Sequence, residues 1–320
     1  MPDHTRLKGI SEYGQYQLSA ALQVNLNHYL CWAFLGIGAF TNVERSSASA
    51  SGAYGGDLSR LRLSEDPNYS VGQVWDGVRR DWVWETGIDY GTQPIHVSGV
   101  WVNSTFHPSS SSGAYAHTVD YPNGRIVFQN PISSGATVQA SYSFRAVHVA
   151  DADSPWWRQF QSDSLRADNP HFLQYGSGDW SVLPQNRIQL PAIVVDAIPE
   201  TRSEGAGLGG GQHVSQRVHL YVVGQLPGEC KHLHDILVRQ KEKRLNLYDL
   251  DRVSSSGVYP LNADGDLNPS GLMYPQLLHA DGYGWRQMRV TEATSRPIPR
   301  DEAGGLYPAV VEWTCEVTLP

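Results

Sequence analysis

From Val138 to Phe144 the chain alternates without interruption. Val138, Ala140, Tyr142 and Phe144 fall on one side, and Thr137, Gln139, Ser141 and Ser143 on the other. A side-chain period of two belongs to a β-strand, and a clean apolar/polar split predicts one buried face and one wet face. The residues before it extend the pattern. In DYPNGRIVF (residues 120–128), Asn123 and Gly124 both tolerate positive φ and predict a hairpin turn. Ile126 and Phe128 then face one way and Arg125 and Gln129 the other, and residues 131–135 form a second turn. Residues 95–102, IHVSGVWV, predict a further strand with Gly99 at a bulge, and Trp82 and Trp84 alternate with Asp81, Val83 and Glu85. Residues 71–150 are therefore expected to form an antiparallel, sandwich-like β domain.

The flanks differ. Residues 1–45 read as a helical arm, with Ser11 as N-cap. Leu18, Leu22, Leu26, Tyr29 and Trp32 recur every three or four residues as one apolar stripe, which either packs on its own domain or reaches a neighbouring subunit. Residues 46–70 open with a Ser/Ala/Gly-rich linker, and residues 151–186 form an irregular connector in which Trp156 and Trp157 act as anchors. Residues 187–320 predict an α+β domain. It has a continuous apolar strand at 189–195 and an alternating strand at 217–223. A helix from 229 to about 247 carries Leu233, Ile236 and Leu237 at helical spacing. A final strand has Val311, Trp313, Cys315, Val317 and Leu319 inward. The expected fold class is mixed, β-rich α+β.

Composition limits the function classes. A net charge of −8 disfavours broad electrostatic binding of nucleic acid. Three cysteines, Cys31, Cys230 and Cys315, argue against a disulfide framework and fit assembly in a reducing cytosol. The first ten residues show no apolar signal core, and the longest apolar run, 29–40, is shorter than the roughly 20 residues a membrane span needs.

Three motifs imitate active sites. Gly205, Gly207 and Gly210 satisfy G-x-G-x-x-G, but the following VSQRVHLYVV predicts a strand, whereas a dinucleotide site opens a helix. Cys230, His232, His234 and Asp235 are metal-ligand types, yet on a helix His232 points away from the face shared by Cys230 and His234. Asn262, Asp264, Asp266 and Asn268 alternate as in a calcium loop, but the sixth and twelfth positions are Leu267 and Met273 where an EF-hand requires Gly and Glu. The carboxylate pairs Glu200/Glu204 and Asp249/Asp251 sit in polar, turn-like surroundings. No catalytic, cofactor or metal residue is assigned on this reading, and most of the ten Trp and sixteen Tyr are explained by packing.

Asp120, Tyr121, Asn123, Gly124, Ile126, Phe128, Val138, Ala140, Tyr142 and Phe144 together resemble a β module of tailed-bacteriophage virion proteins. The order strand–loop–strand–helix over residues 189–242 is similar to that of phage neck and tail-completion proteins, and residues 11–40 resemble virion proteins of cyanophage-type myoviruses. The resemblance implies a non-enzymatic virion protein, made in the host cytoplasm and built into a ring at the neck or tail terminus. It implies a cyclic homo-oligomer, a hexamer before a dodecamer. Its partners would be adjacent neck, connector or tail proteins, with DNA as passing cargo, no cofactor and no membrane. The expected assembly contacts are Leu18, Leu22, Leu26, Tyr29 and Trp32 on the arm, Gly207 and Gly210 on the glycine loop, and Leu233, Ile236 and Leu237 on the helix at 229–243. The alternative is a baseplate or fibre-associated module binding host glycan through exposed Trp and Tyr, with Trp101 and Trp285 as the residues to inspect.

Overall fold

A computed structural model describes residues 15–45, 57–155, 157, 189–205, 212–279, 282–297 and 307–319. Helix α1 (Gln15–Gly36) places Leu18, Leu22, Leu26, Leu30 and Phe34 four residues apart on one buried stripe. Short strands follow: β1 (Phe40–Val43), β2 (Arg62–Leu63), β3 (Val74–Asp76), β4 (Gly99–Val102), β5 (Thr105–Pro108), β6 (His117–Asp120), β7 (Arg125–Phe128), β8 (Val138–Ala140) and β9 (Tyr142–Arg145). They form three small sheets, ordered β2-β3-β7-β6, β5-β4-β8 and β1-β9, with every pair antiparallel. Trp82, Tyr121, Ile126, Phe128, Val138, Ala140 and Tyr142 form one core between them, with Trp82 stacked on Tyr142 at 4.2 Å.

The 123–124 turn is a hairpin, as its sequence predicts. β6 and β7 pair from Asp120↔Arg125, and Gly124 takes φ 62° where a Cβ would strike the Arg79 carbonyl. The wet face predicted for 137–143 is corrected. Gln139 and Ser143 are buried, because residues distant in sequence cover them. Gln139 Nε2 donates to Asp57 Oδ2 at 3.0 Å, while Ser143 Oγ donates to Asn42 Oδ1 and accepts from the Ile95 amide.

The remaining strands make one six-stranded sheet. β10 (His148–Asp151) pairs parallel to β11 (Ala192–Gly205). Then come β12 (Gln212–Gly224), β15 (Tyr307–Leu319), β14 (Gly284–Pro297) and β13 (Arg244–Tyr248), all antiparallel, in the order β10-β11-β12-β15-β14-β13. Cross-strand register sets Val195, Leu220 and Val311, and likewise Ala197, Val218 and Trp313, in rows on one inner face. α1 and α2 (Pro227–Val238) both cover that face. The N-terminal helix therefore packs on the sheet of the C-terminal half rather than standing apart.

The helix predicted from 229 to about 247 ends at Val238. Residues 244–248 form β13, where Leu245 and Leu247 point into the core. Two short helices, α3 (Leu250–Ser255) and α4 (Tyr274–His279), bring Val253, Tyr274 and Leu277 against Tyr248, with Tyr29 and Trp32 of α1 packed alongside. The turn between α3 and α4 reaches back to the small sheets. Leu261, Leu267 and Met273 pack on their core, and the Tyr121 amide donates to the Gly265 carbonyl at 3.2 Å. Gly265 has φ 84°, and a Cβ there would lie 2.5 Å from Asp120 Oδ1. Gly257 has φ 64° with open space around it. Gly257→Ala should cost only the strain of a left-handed residue, about 1 kcal/mol, and Gly265→Ala about 2–3 kcal/mol. Urea-unfolding midpoints of the two variants, read side by side, check the difference.

Candidate assembly site

The long strands outrun their neighbours. β10 covers β11 only along Ala192–Val195, so residues 196–205 of β11 have no strand on their outer edge among the described residues. β13 covers β14 from Gly284 to Arg289, and Val290 still exchanges backbone hydrogen bonds with Glu242 and Lys243. From Glu292 to Pro297 the outer edge of β14 carries no strand among the described residues. Each open stretch is a row of backbone donors and acceptors, lacking a donor only at Pro199 and Pro297, that another chain can pair with.

The sheet face opposite the helices is polar. His219 lies beside Glu312 at 3.2 Å and Tyr221 at 3.4 Å, Thr318 meets His213 at 3.1 Å, and Arg289 pairs with Glu242. Burial raises the Asp196 carboxyl on this face. Trp157 is buried and packs at a tilt against Tyr221, with ring centroids 4.9 Å apart, an anchoring role; Trp156 lies outside the described residues.

The expected assembly contacts divide. Leu18, Leu22 and Leu26 are buried against this chain's own sheet, as are Leu233 and Leu237, so their apolar surface is already covered. Tyr29, Trp32 and Ile236 are half-buried and pack on the same chain. Gly207 and Gly210 lie outside the described residues, as does Ser11; β11 ends at Gly205 and β12 begins at Gln212.

The other motifs resolve as packing and turns. Cys230 is buried against Gly224, while His232 and Asp235 are exposed on α2. No group of three metal-ligating side chains occurs among the described residues. Asp264 and Asp266 accept backbone amides within their own turn, and Asp249 caps α3 by accepting from the Arg252 amide. Trp101 is half-buried, tilted against Phe106 with the Arg45 guanidinium over its ring, and Trp285 packs partly into the core.

A buried polar junction, unassigned from the sequence, fixes the small sheets to the large one. Arg145 donates from Nε to Asp81 at 2.9 Å and from Nη2 to Glu85 at 2.7 Å, and His148 Nδ1 contacts the second Asp81 oxygen at 2.7 Å. Burial alone pulls the Arg145 guanidinium down, but the Glu85 and Asp81 carboxylates outweigh it and hold it raised. Burial pushes Asp81 upward, and Arg145 and His148 overcome that push and leave it lowered. β9 carries Arg145 and β10 carries His148, so the ion network spans the step between sheets.

His28 of α1 completes the junction. Its ring nitrogens meet the hydroxyls of Tyr259 at 3.0 Å and Tyr248 at 3.1 Å, with Trp84 edge-on to the ring. Burial, assisted by the Arg145 charge, lowers its pKa to about 4. The unfolded chain, titrating near 6.5, takes up this proton first. Stability is therefore complete above about pH 6.5 and falls as the pH drops toward 4, by up to about 3 kcal/mol. Urea midpoints at pH 7 and 4.5 should show that loss, and His28→Gln should flatten it.

No protein-family model matches the chain, and no curated protein matches it.

Proposed function

We propose that this chain is a non-enzymatic structural subunit that works by assembling with copies of itself into a closed ring. The setting is the virion of a tailed phage, at the neck or tail terminus, where the ring joins head to tail and meets adjacent neck, connector or tail proteins. The observation that carries this reading is the pair of open edges, on β11 and β14, at opposite margins of one sheet. A subunit with two different self-binding patches forms heterologous contacts, and heterologous contacts repeat into rings when the rotation closes. The buried Arg145 junction supports it, because a ring needs wedges whose parts do not shift. The polar sheet face suits a wall past which DNA moves without sticking.

Light scattering and negative-stain microscopy of the purified protein test this. A ring, with six copies expected, supports it, and a strictly monomeric protein at all concentrations opposes it. The glycan-binding alternative gains nothing from Trp101 or Trp285, which are both half-buried.

A further inference from the structure

We infer that the open edge of β11 in one copy pairs with the open edge of β14 in the next, extending the six-stranded sheet from subunit to subunit as a continuous antiparallel wall. This rests on the reading of the chain as a ring-forming subunit and specifies how the ring is joined.

Strand direction is the first argument. Along β11-β12-β15-β14 every pair is antiparallel, so β11 and β14 run in opposite senses. Setting β14 of one copy beside β11 of another, with both copies in the same orientation, therefore continues the alternation unbroken. Faces also match. Ser203 pairs with Val214, and Ala293 pairs with Trp313, so Ser203 and Ala293 both lie on the core side of the sheet. An inward residue can then stand beside an inward residue across the joint.

Charge supplies the second argument. The open stretch of β11, 196–205, contains Asp196, Glu200 and Glu204 against Arg202. The open stretch of β14, 292–297, contains Glu292 and Arg296 and is neutral. Two acidic β11 edges repel each other, whereas an acidic edge meets a neutral one without that penalty. Full overlap of the two stretches sets Glu200 across from Arg296, with Glu204 across from Glu292 at the far end.

Stagger supplies the third. The centre of the open β11 stretch lies level with Ser215 and Gln216 of β12, and that of the β14 stretch lies level with His219 and Leu220. Joining them slides each copy about four residues, or about 13 Å, along the strands. It does so for every four strands, which occupy about 19 Å across the sheet. The resulting strand tilt is about 35°, at the edge of the range of about 35–45° at which sheets close into barrels. Full overlap sets 199–204 against 292–297, with Arg202 opposite Thr294, both exposed.

The joint is read by cross-linking. The double variant Arg202→Cys/Thr294→Cys, oxidised with copper phenanthroline, should give a ladder of covalent oligomers on a non-reducing gel, ending at the ring size. Each single variant and the wild type should run as a monomer. Amide hydrogen exchange of the wild-type assembly should show outward-pointing amides within 200–204 and 292–296 protected at least tenfold over the dissociated protein. Rings without cross-links and without that protection would overturn the joint while leaving the ring reading standing. Covalent dimers from Arg202→Cys alone would show β11 edges meeting each other and would overturn it too. A protein that never assembles would remove the ring reading and this joint together.

Discussion

Replacing Arg145 by methionine should lower the unfolding free energy by about 3–5 kcal/mol at neutral pH, because two buried carboxylates lose the charge that compensates them. The side chains of Arg145 and Glu85 are almost fully buried, so water does not substitute for the missing guanidinium. Most of the cost is the penalty of leaving Asp81 and Glu85 uncompensated. The triple variant Arg145→Met/Asp81→Asn/Glu85→Gln should recover a large part of the loss, since it removes the stranded charges as well. Urea unfolding of wild type, single and triple variants separates the two terms. If the single variant is as stable as wild type, the junction does not lock the sheets together.

Trp313→Ala should cost a similar amount, about 3–5 kcal/mol, for a different reason. Trp313 is fully buried at the centre of the large sheet, between Val218 and Ala293, and its Nε1 donates to the Leu237 carbonyl at 3.0 Å. Truncation removes the largest apolar side chain under α2 and one of the hydrogen bonds to the Leu237 carbonyl, which keeps the Gln240 amide as a donor. Trp313→Phe keeps most of the packing and loses only the hydrogen bond, so its cost should be about 1 kcal/mol. Thermal or urea unfolding of the pair distinguishes packing from hydrogen bonding. Equal losses for Ala and Phe would show that the hydrogen bond dominates.

The sequence revealed the elements whose buried faces are purely apolar. Val311, Trp313, Cys315 and Val317 alternate with polar residues because helices cover only one side of β15, and Val218, Leu220 and Val222 do so on β12. The α1 stripe was visible for the same reason. β13 and β14 were not. RLNLY is short and follows a basic stretch that reads as helix, and the far half of β14, TEATSRP, is polar because little covers it. Gln139 and Ser143 read as a wet face because their covering partners, Asp57, Ser59 and Asn42, are 80 or more residues distant. The Arg145 junction is equally non-local, with Asp81 and Glu85 at least 60 residues away. The candidate site was hidden for a further reason. An open edge is a property of register, of where β10 stops along β11 and β13 along β14, and no residue type marks that point.

The central claim is that copies of this chain join through their sheets. A density map of the purified assembly at a resolution that separates strands tests it most directly. The account predicts four long strands from each copy, tilted about 35° in one uninterrupted wall, with α1 and α2 on the same side throughout. A map in which neighbouring copies meet through the small sheets, with the edges of β11 and β14 left facing solvent, would contradict it.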